Sequence, residues 1–250
     1  MTRAGWIRLS LIVGALALLE AACRFGLVGR DAVIPPTVMV QGAWRAVASE
    51  EIRSDVLLTL QNVALSLVLS LIAGTAAGLL LHKAKRLRRA LDPLLASYYA
   101  VPTFVFYPLF IVLFGLNRWP LVAIGFLFAV VAVIINTLDG LSRIPRAFVR
   151  TAAAMRLTRT QYALHIILPA AAPWLFTGAK FAVAYSFIGV IAGEFVVSGA
   201  GMGHAIAFAY NSFDNRMMYG LILLLFVLVG SVNAFLSTWE HRLYARRAGR

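Results

Sequence analysis

Acidic residues are scarce in this 250-residue chain: it holds ten, against 23 lysines and arginines, and charged residues of both signs make up only 13%. A soluble domain carries about 25% charged residues, so this chain cannot cover a water-facing surface of ordinary polarity. Cysteine occurs once, as Cys23, which excludes an internal disulfide. The four histidines and that cysteine show no metal-ligand spacing, so no metal site is expected. No glycine-rich loop ends in Gly-Lys-Ser/Thr, so any use of ATP belongs to another polypeptide. Alternating apolar and polar stretches of about ten residues are missing too, which argues against a membrane barrel.

Apolar residues fill the space, at 61% of the chain and a mean hydropathy of +0.84. They gather in six runs, Ile7–Val28, Asp55–Leu81, Leu94–Leu116, Pro120–Leu141, Ala170–Val197 and Met217–Trp239. Each reaches the roughly 20 residues that cross a bilayer core of about 30 Å. Backbone groups in lipid must bond within their own segment, so the runs are expected as helices. The first run has the basic start of a signal peptide, and Glu20-Ala21-Ala22-Cys23 hints at a lipoprotein cleavage site. Glu20 stands where such a site wants an apolar residue, and it lies four residues before Arg24 in the order that favours a helical ion pair. The run is read as an uncleaved span. The fold class is therefore all-α integral membrane, with six transmembrane helices.

Charge placement orients them. With the N-terminus inside, the inner segments hold sixteen basic residues: Arg3 and Arg8, then Lys83 to Arg89, Arg143 to Arg159, and Arg242 to Arg250. The outer segments hold five: Arg30, Arg45, Arg53, Arg118 and Arg216. This asymmetry places both termini in the cytoplasm of a multi-pass inner-membrane protein. The basic clusters face membrane lipid. No groove-reading or aromatic basic face points to nucleic acid. Trp6, Trp119, Trp174 and Trp239 fall near run ends, as interfacial anchors do.

Two outer segments and one inner loop are long. Gly29–Ser54 carries Pro35-Pro36-Thr37, where Thr37 is a candidate N-cap of a surface helix. Ser198–Arg216 opens with Gly199-Ala200-Gly201-Met202-Gly203, glycines that suit tight turning or close backbone approach. The inner loop reads Arg150-Thr151-Ala152-Ala153-Ala154-Met155-Arg156, nine further residues, then Ile166-Ile167-Leu168-Pro169. Its composition describes a basic amphipathic helix, equally suited to docking a partner or to lying on lipid headgroups.

That stretch resembles the signature of permeases of ABC importers, E-A-A-x-x-x-G, nine residues, I-x-L-P. Ala152, Ile166, Leu168 and Pro169 match, and Thr151 is small where the first alanine belongs. Arg150 stands in place of the glutamate and Arg156 in place of the glycine. Ile34-Pro35-Pro36, Thr59-Leu60, Val101-Pro102 through Pro108-Leu109, Phe114-Gly115, Asn136-Thr137 and the 199–203 glycines are similar to the nitrate, sulfonate and taurine branch. The resemblance covers about residues 30–245. It implies the type I importer permease fold: one transmembrane domain over 1–250, with a core of about 55–245 and a coupling loop of about 142–169. It further implies an ABC ATPase as partner, a periplasmic solute-binding protein, and a second permease chain, identical or different. The chain would form the path for a sulfonate, taurine or nitrate, or for a pyrimidine or flavin-type compound. It would bind no cofactor and carry no catalytic residues, with ATP used by the partner. Coupling residues would be Arg150, Thr151, Ala152, Ala153, Arg156, Ile166, Leu168 and Pro169.

Ionisable groups inside spans cost about 2.5–3.5 kcal/mol at mid-membrane and so point to function. Beyond Glu20 and Arg24 there are three: Asp139, Lys180 and Glu194. Asp139 lies at the inner end of its run, and Lys180 can snorkel to the surface. Glu194 is the strongest candidate for the translocation path, with Asn136 beside it in the assignment. Gly74 with Gly78, and Gly189 with Gly193, are small-xxx-small pairs suited to helix packing. Pro102 and Pro108 are expected to kink the third span. A secondary transporter would show inverted repeats, and an intramembrane enzyme would need convergent acid, base or nucleophile groups. Neither pattern is visible, and both remain as alternatives.

Overall fold

The computed structural model describes residues 3–27, 29 and 33–248. Val28, Arg30 and Arg250, which entered the reading of spans and charge, lie outside the described residues, as do the side chains of Arg3, Arg8, His241, Arg242, Arg246 and Arg247. Every regular element among the described residues is helical. In chain order they are α1 (Arg3–Arg24), α2 (Pro36–Ala48), α3 (Glu50–Lys83), α4 (Lys85–Ser97), α5 (Tyr107–Phe114), α6 (Trp119–Ser142), α7 (Arg146–Ala154), α8 (Arg159–Tyr162), α9 (Leu168–Val197), α10 (Met202–Asn211) and α11 (Asn215–Ala248).

Five stretches are long and apolar enough to cross a membrane unbroken: Gly5–Arg24, Glu50–Lys83, Trp119–Ser142, Arg159–Val197 and Asn215–Glu240. The sixth differs from expectation. The run expected as one span over Leu94–Leu116 is a bent pair, Lys85–Ala100 and Thr103–Phe114, with 93° between its halves. Pro102 is the cause. Its ring drives the preceding residue out of the helical region, and Val101 sits extended at φ −82° and ψ 123°. Pro108 does not kink anything, because it lies in the first turn of α5, where the missing N–H had no partner to lose.

The chain divides into two compact units, one of Met1–Thr59 with Glu194–Gly230, the other of Leu60–Gly193 with Ser231–Arg250. In the second unit α3 and α6 pack in parallel. Ser66 Oγ donates to the Val122 carbonyl at 3.0 Å and Ser70 Oγ to that of Phe126 at 3.2 Å, so contacts advance together along both helices. Further on, a Cβ added at Gly74 would lie 2.6 Å from the Val133 Cβ, and one at Gly78 2.7 Å from the Thr137 Cβ. Parallel neighbours require the intervening chain to return across the membrane, and the broken span makes that return. α9 packs on α6 in the opposite sense. Gly140 meets Trp174, Gly178 meets Asn136, Gly189 meets Gly125 and Gly193 meets Leu121. Ala129, Val133 and Ala182 close the centre, with Leu67, Leu71 and Tyr185 around them.

In the first unit Ala46, Ile52, Ala205, Ile206 and Leu221 form the core. Glu20 of α1 pairs with Arg24 at 2.7 Å, as its spacing predicts. It also accepts from the Thr37 N–H at 3.0 Å and the Thr37 hydroxyl at 2.8 Å. Thr37 is therefore not an N-cap. Pro35 holds that position, and Thr37 lies inside the first turn of α2, turned back to α1.

Candidate functional site: the α7–α9 loop and the α10 latch

The loop after α6 is built from two capped turns. Pro145 precedes α7, and Ala152 is the one buried residue of that helix. Arg146, Arg150, Thr151 and Ala153 are exposed around it. The helix ends in a Schellman motif: the Arg156 N–H donates to the Ala153 carbonyl and the Leu157 N–H to that of Ala152, both at 3.1 Å. Arg156 carries the left-handed conformation this motif needs, at φ +50°. Thr158 then opens α8 with a capping box, its hydroxyl accepting from the Gln161 N–H at 3.3 Å while Gln161 Oε1 accepts from the Thr158 N–H at 2.9 Å. A wide turn over Ala163–Ile167 carries the chain into α9 at Leu168-Pro169. Ile166 is half-buried, whereas Leu168 is exposed.

The loop is one-signed in charge. No acidic residue occurs between Asp139 and Glu194. Arg143 lies over the Trp174 ring, its guanidinium carbon 4.3 Å from the centroid. The ion pairs among the described residues include none of Arg146, Arg150, Arg156 or Arg159.

The second feature is a latch at the start of α10. Glu194 is fully buried. Its Oε2 accepts from the Thr59 hydroxyl at 2.8 Å and from the Gly203 N–H at 3.1 Å. Thr59 Oγ1 accepts from the Met202 N–H at 2.9 Å, and Asp55 Oδ1 from the Gly201 N–H at 2.7 Å. Three successive amides at the positive end of α10 thus meet side-chain oxygens, two of them on carboxylates. Gly201 has φ +103°, and a Cβ there would lie 2.5 Å from the Glu194 carboxyl carbon. Only glycine fits.

Residues 66–249 match the family of binding-protein-dependent transport system inner membrane components. The chain belongs to this family. It is 30% identical over 218 residues to the nitrate import permease protein NrtB of Leptolyngbya laminosa, across 84% of this chain and 77% of that one. It is 29% identical over 170 residues to the formylaminopyrimidine transport permease protein ThiX of Halalkalibacterium halodurans, across 68% of each chain. A chain of the MetNI methionine ABC transporter, solved in inward-facing conformations, shares the fold with a TM-score of 0.60 at 20% identity. That alignment covers 83% of this chain and 94% of the other.

As a binding-protein-dependent permease, the chain is a multi-pass inner-membrane protein that transports and does not catalyse. A partner ATPase hydrolyses the ATP, and a binding protein supplies the solute. The structure brings the expected loop residues of this permease onto one connected segment. It places Gly74 and Gly78 of α3 against α6, and Gly189 and Gly193 of α9 on a neighbouring line of α6, the two lines meeting at Gly125. Asn136 is turned inward: its Nδ2 donates to the Ala132 carbonyl at 2.8 Å, and its side chain covers Gly178. Lys180 extends to Glu240, the last residue of the Asn215–Glu240 stretch, and its Nζ pairs there at 2.8 Å. Sequence reasoning missed Asp55 and Thr59 as partners of the 199–203 glycines. They sit four residues apart on one face of α3, a signal too short to find without knowing which loop approaches it.

Proposed function

We propose that this permease docks its ATPase through the loop of about 142–169, pairs with a second permease chain, and keeps both termini in the cytoplasm. One observation carries the docking role: an exposed, doubly capped helical segment that presents apolar side chains together with arginines that have no ion pair among the described residues. Phe148, Val149, Met155, Leu164 and Leu168 are exposed beside Arg146, Arg150 and Arg156. Arg150, Thr151 and Ala153 would lie at the contact. Ala152 and Arg156 would hold its shape, and Ile166, Leu168 and Pro169 would tie it to α9. The sixteen-to-five split of basic residues supports the orientation. The whole chain then acts as one transmembrane domain, with lipid around its exposed apolar helices.

The relatives point to a small, flat solute, spanning nitrate-like anions and formylaminopyrimidine-like heterocycles. We place the path elsewhere than at Glu194 and Asn136, because both side chains are engaged in internal contacts. Arg150→Glu tests the docking role. The variant is expected to lose its ATPase during purification and to lose solute-stimulated ATP hydrolysis, while Arg150→Lys keeps both. An Arg150→Glu complex that stays intact and coupled would refute the arginine contact.

A further inference from the structure

The broken span sets an aromatic ladder near the middle of the membrane. Tyr98 Oη donates to the Leu127 carbonyl at 3.0 Å and Tyr99 Oη to that of Phe128 at 3.3 Å. Both acceptors lie within about three residues of the centre of α6, or ~5 Å along its axis. Tyr99 stacks on Tyr185 of α9, with centroids 5.0 Å apart and 25° between planes. Tyr185 continues to Phe181, one turn earlier, at 6.3 Å and 25°.

The two ends of the ladder are not covered, and Tyr185 between them is half-buried. Tyr99, Val101 and Phe181 are 42%, 48% and 49% exposed, and Pro102 is exposed with them. Non-helical backbone at such depth does not face hydrocarbon, because lipid cannot satisfy its amides and carbonyls; it occurs only against protein or a water-filled cavity. Lipid is thereby excluded as the neighbour of the break, which leaves water or a facing permease chain across the path. The Tyr98 and Tyr99 hydroxyls are spent on α6, so at its exposed Tyr99 end the ladder offers a ring face rather than a proton. The electron-rich face of a ring repels an anion. The base adjacent to the ladder in α9, Lys180, is already neutralised by Glu240.

We infer that Tyr99, Tyr185 and Phe181 line the solute path beside the break at Val101-Pro102 and stack against a planar heteroaromatic solute of the pyrimidine or flavin type, in preference to a small inorganic oxyanion. The inference rests on the importer reading and narrows it.

Riboflavin is a suitable probe, because stacking on tyrosine quenches its fluorescence. Titrated into the purified permease–ATPase complex, it is expected to give saturable quenching that excess nitrate does not displace. Tyr185→Ala should weaken binding about tenfold, the effect of losing one stacking ring, whereas Tyr185→Phe should stay within about twofold because no hydroxyl is used. Absence of saturable quenching, displacement by nitrate, or an unchanged affinity in Tyr185→Ala would overturn the inference. Tyr185 also packs on the α6–α9 core, so a second measurement leaves it intact. In a Cys23→Ser background, which removes the only cysteine, Val101→Cys should react with a charged, water-soluble thiosulfonate, and riboflavin should slow the reaction. An unreactive Val101→Cys overturns the water-lined path. The ATPase is read on the same preparation: its presence without quenching overturns this inference alone, and its absence overturns the importer reading as well.

Discussion

Replacing Arg156 by glycine should tighten the α7 loop. At φ +50° the Arg156 backbone is left-handed, a conformation that costs a residue bearing a Cβ about 1–2 kcal/mol. Glycine escapes that cost but gives back about 0.4–1 kcal/mol through the greater freedom of its unfolded state. The difference is about 0.5–1 kcal/mol, which corresponds to a two- to fivefold change in the local opening equilibrium. Hydrogen exchange reads it directly. The Arg156 and Leu157 amides donate the two bonds that close the helix, so their exchange, corrected for intrinsic rate, should slow about two- to fivefold in Arg156→Gly. Arg156→Ala is the control, because alanine carries the same backbone cost and should leave protection near that of the parent. Equal exchange in Arg156→Gly and parent, or slower exchange in Arg156→Ala than in Arg156→Gly, would refute the strain argument. The same result would explain why the family signature has glycine at this position.

Glu194→Gln should destabilise the first unit by about 1–2 kcal/mol, because the amide oxygen can keep the Thr59 and Gly203 bonds made to Oε2 but the negative charge at the positive end of α10 is lost; a lowered midpoint of thermal unfolding in detergent reports it, and an unchanged midpoint counts against the latch. Gly189→Val should lower the midpoint of SDS unfolding, since a Cβ there would lie 2.7 Å from the Gly125 Cα and overpacking of this kind costs about 1–3 kcal/mol. Gly230→Ala should leave that midpoint unchanged or raise it, because nothing lies within 4 Å of its added Cβ and alanine gains up to about 1 kcal/mol of helix propensity. Effects of the same sign at the two glycines would contradict the packing line on α6.

Spans were legible wherever composition alone decides them. The runs around α3, α6, α9 and α11 are long and apolar, and the membrane forces such runs into helices. The Glu20–Arg24 pair and the small residues at Gly74, Gly78, Gly189 and Gly193 were legible because helical periodicity places them on one face. The broken span was less so. Two prolines marked it, and only the chain's position around each one separates a break at Pro102 from a harmless first turn at Pro108. The latch was hidden for a different reason: Asp55, Thr59 and Glu194 come together from segments 135 residues apart, and no local pattern connects them. Arg156 is instructive in reverse. The resemblance showed only an arginine in place of a glycine, whereas the structure shows that this arginine keeps the left-handed backbone a glycine would favour.

Ser66 and Ser70 have a consequence for how the protein is made. Each hydroxyl also donates to a carbonyl of its own helix, Ser66 to Asn62 at 2.9 Å and Ser70 to Ser66 at 2.7 Å. Their acceptors on α6 are 56 residues further along the chain. At a synthesis rate of about 5–20 residues per second, α3 waits roughly 3–10 s for that partner. During the wait it sits in lipid with no stranded hydroxyl, so it can leave the insertion machinery alone. The second acceptor is gained when α6 arrives, and the same serines that made insertion tolerable then become part of assembly.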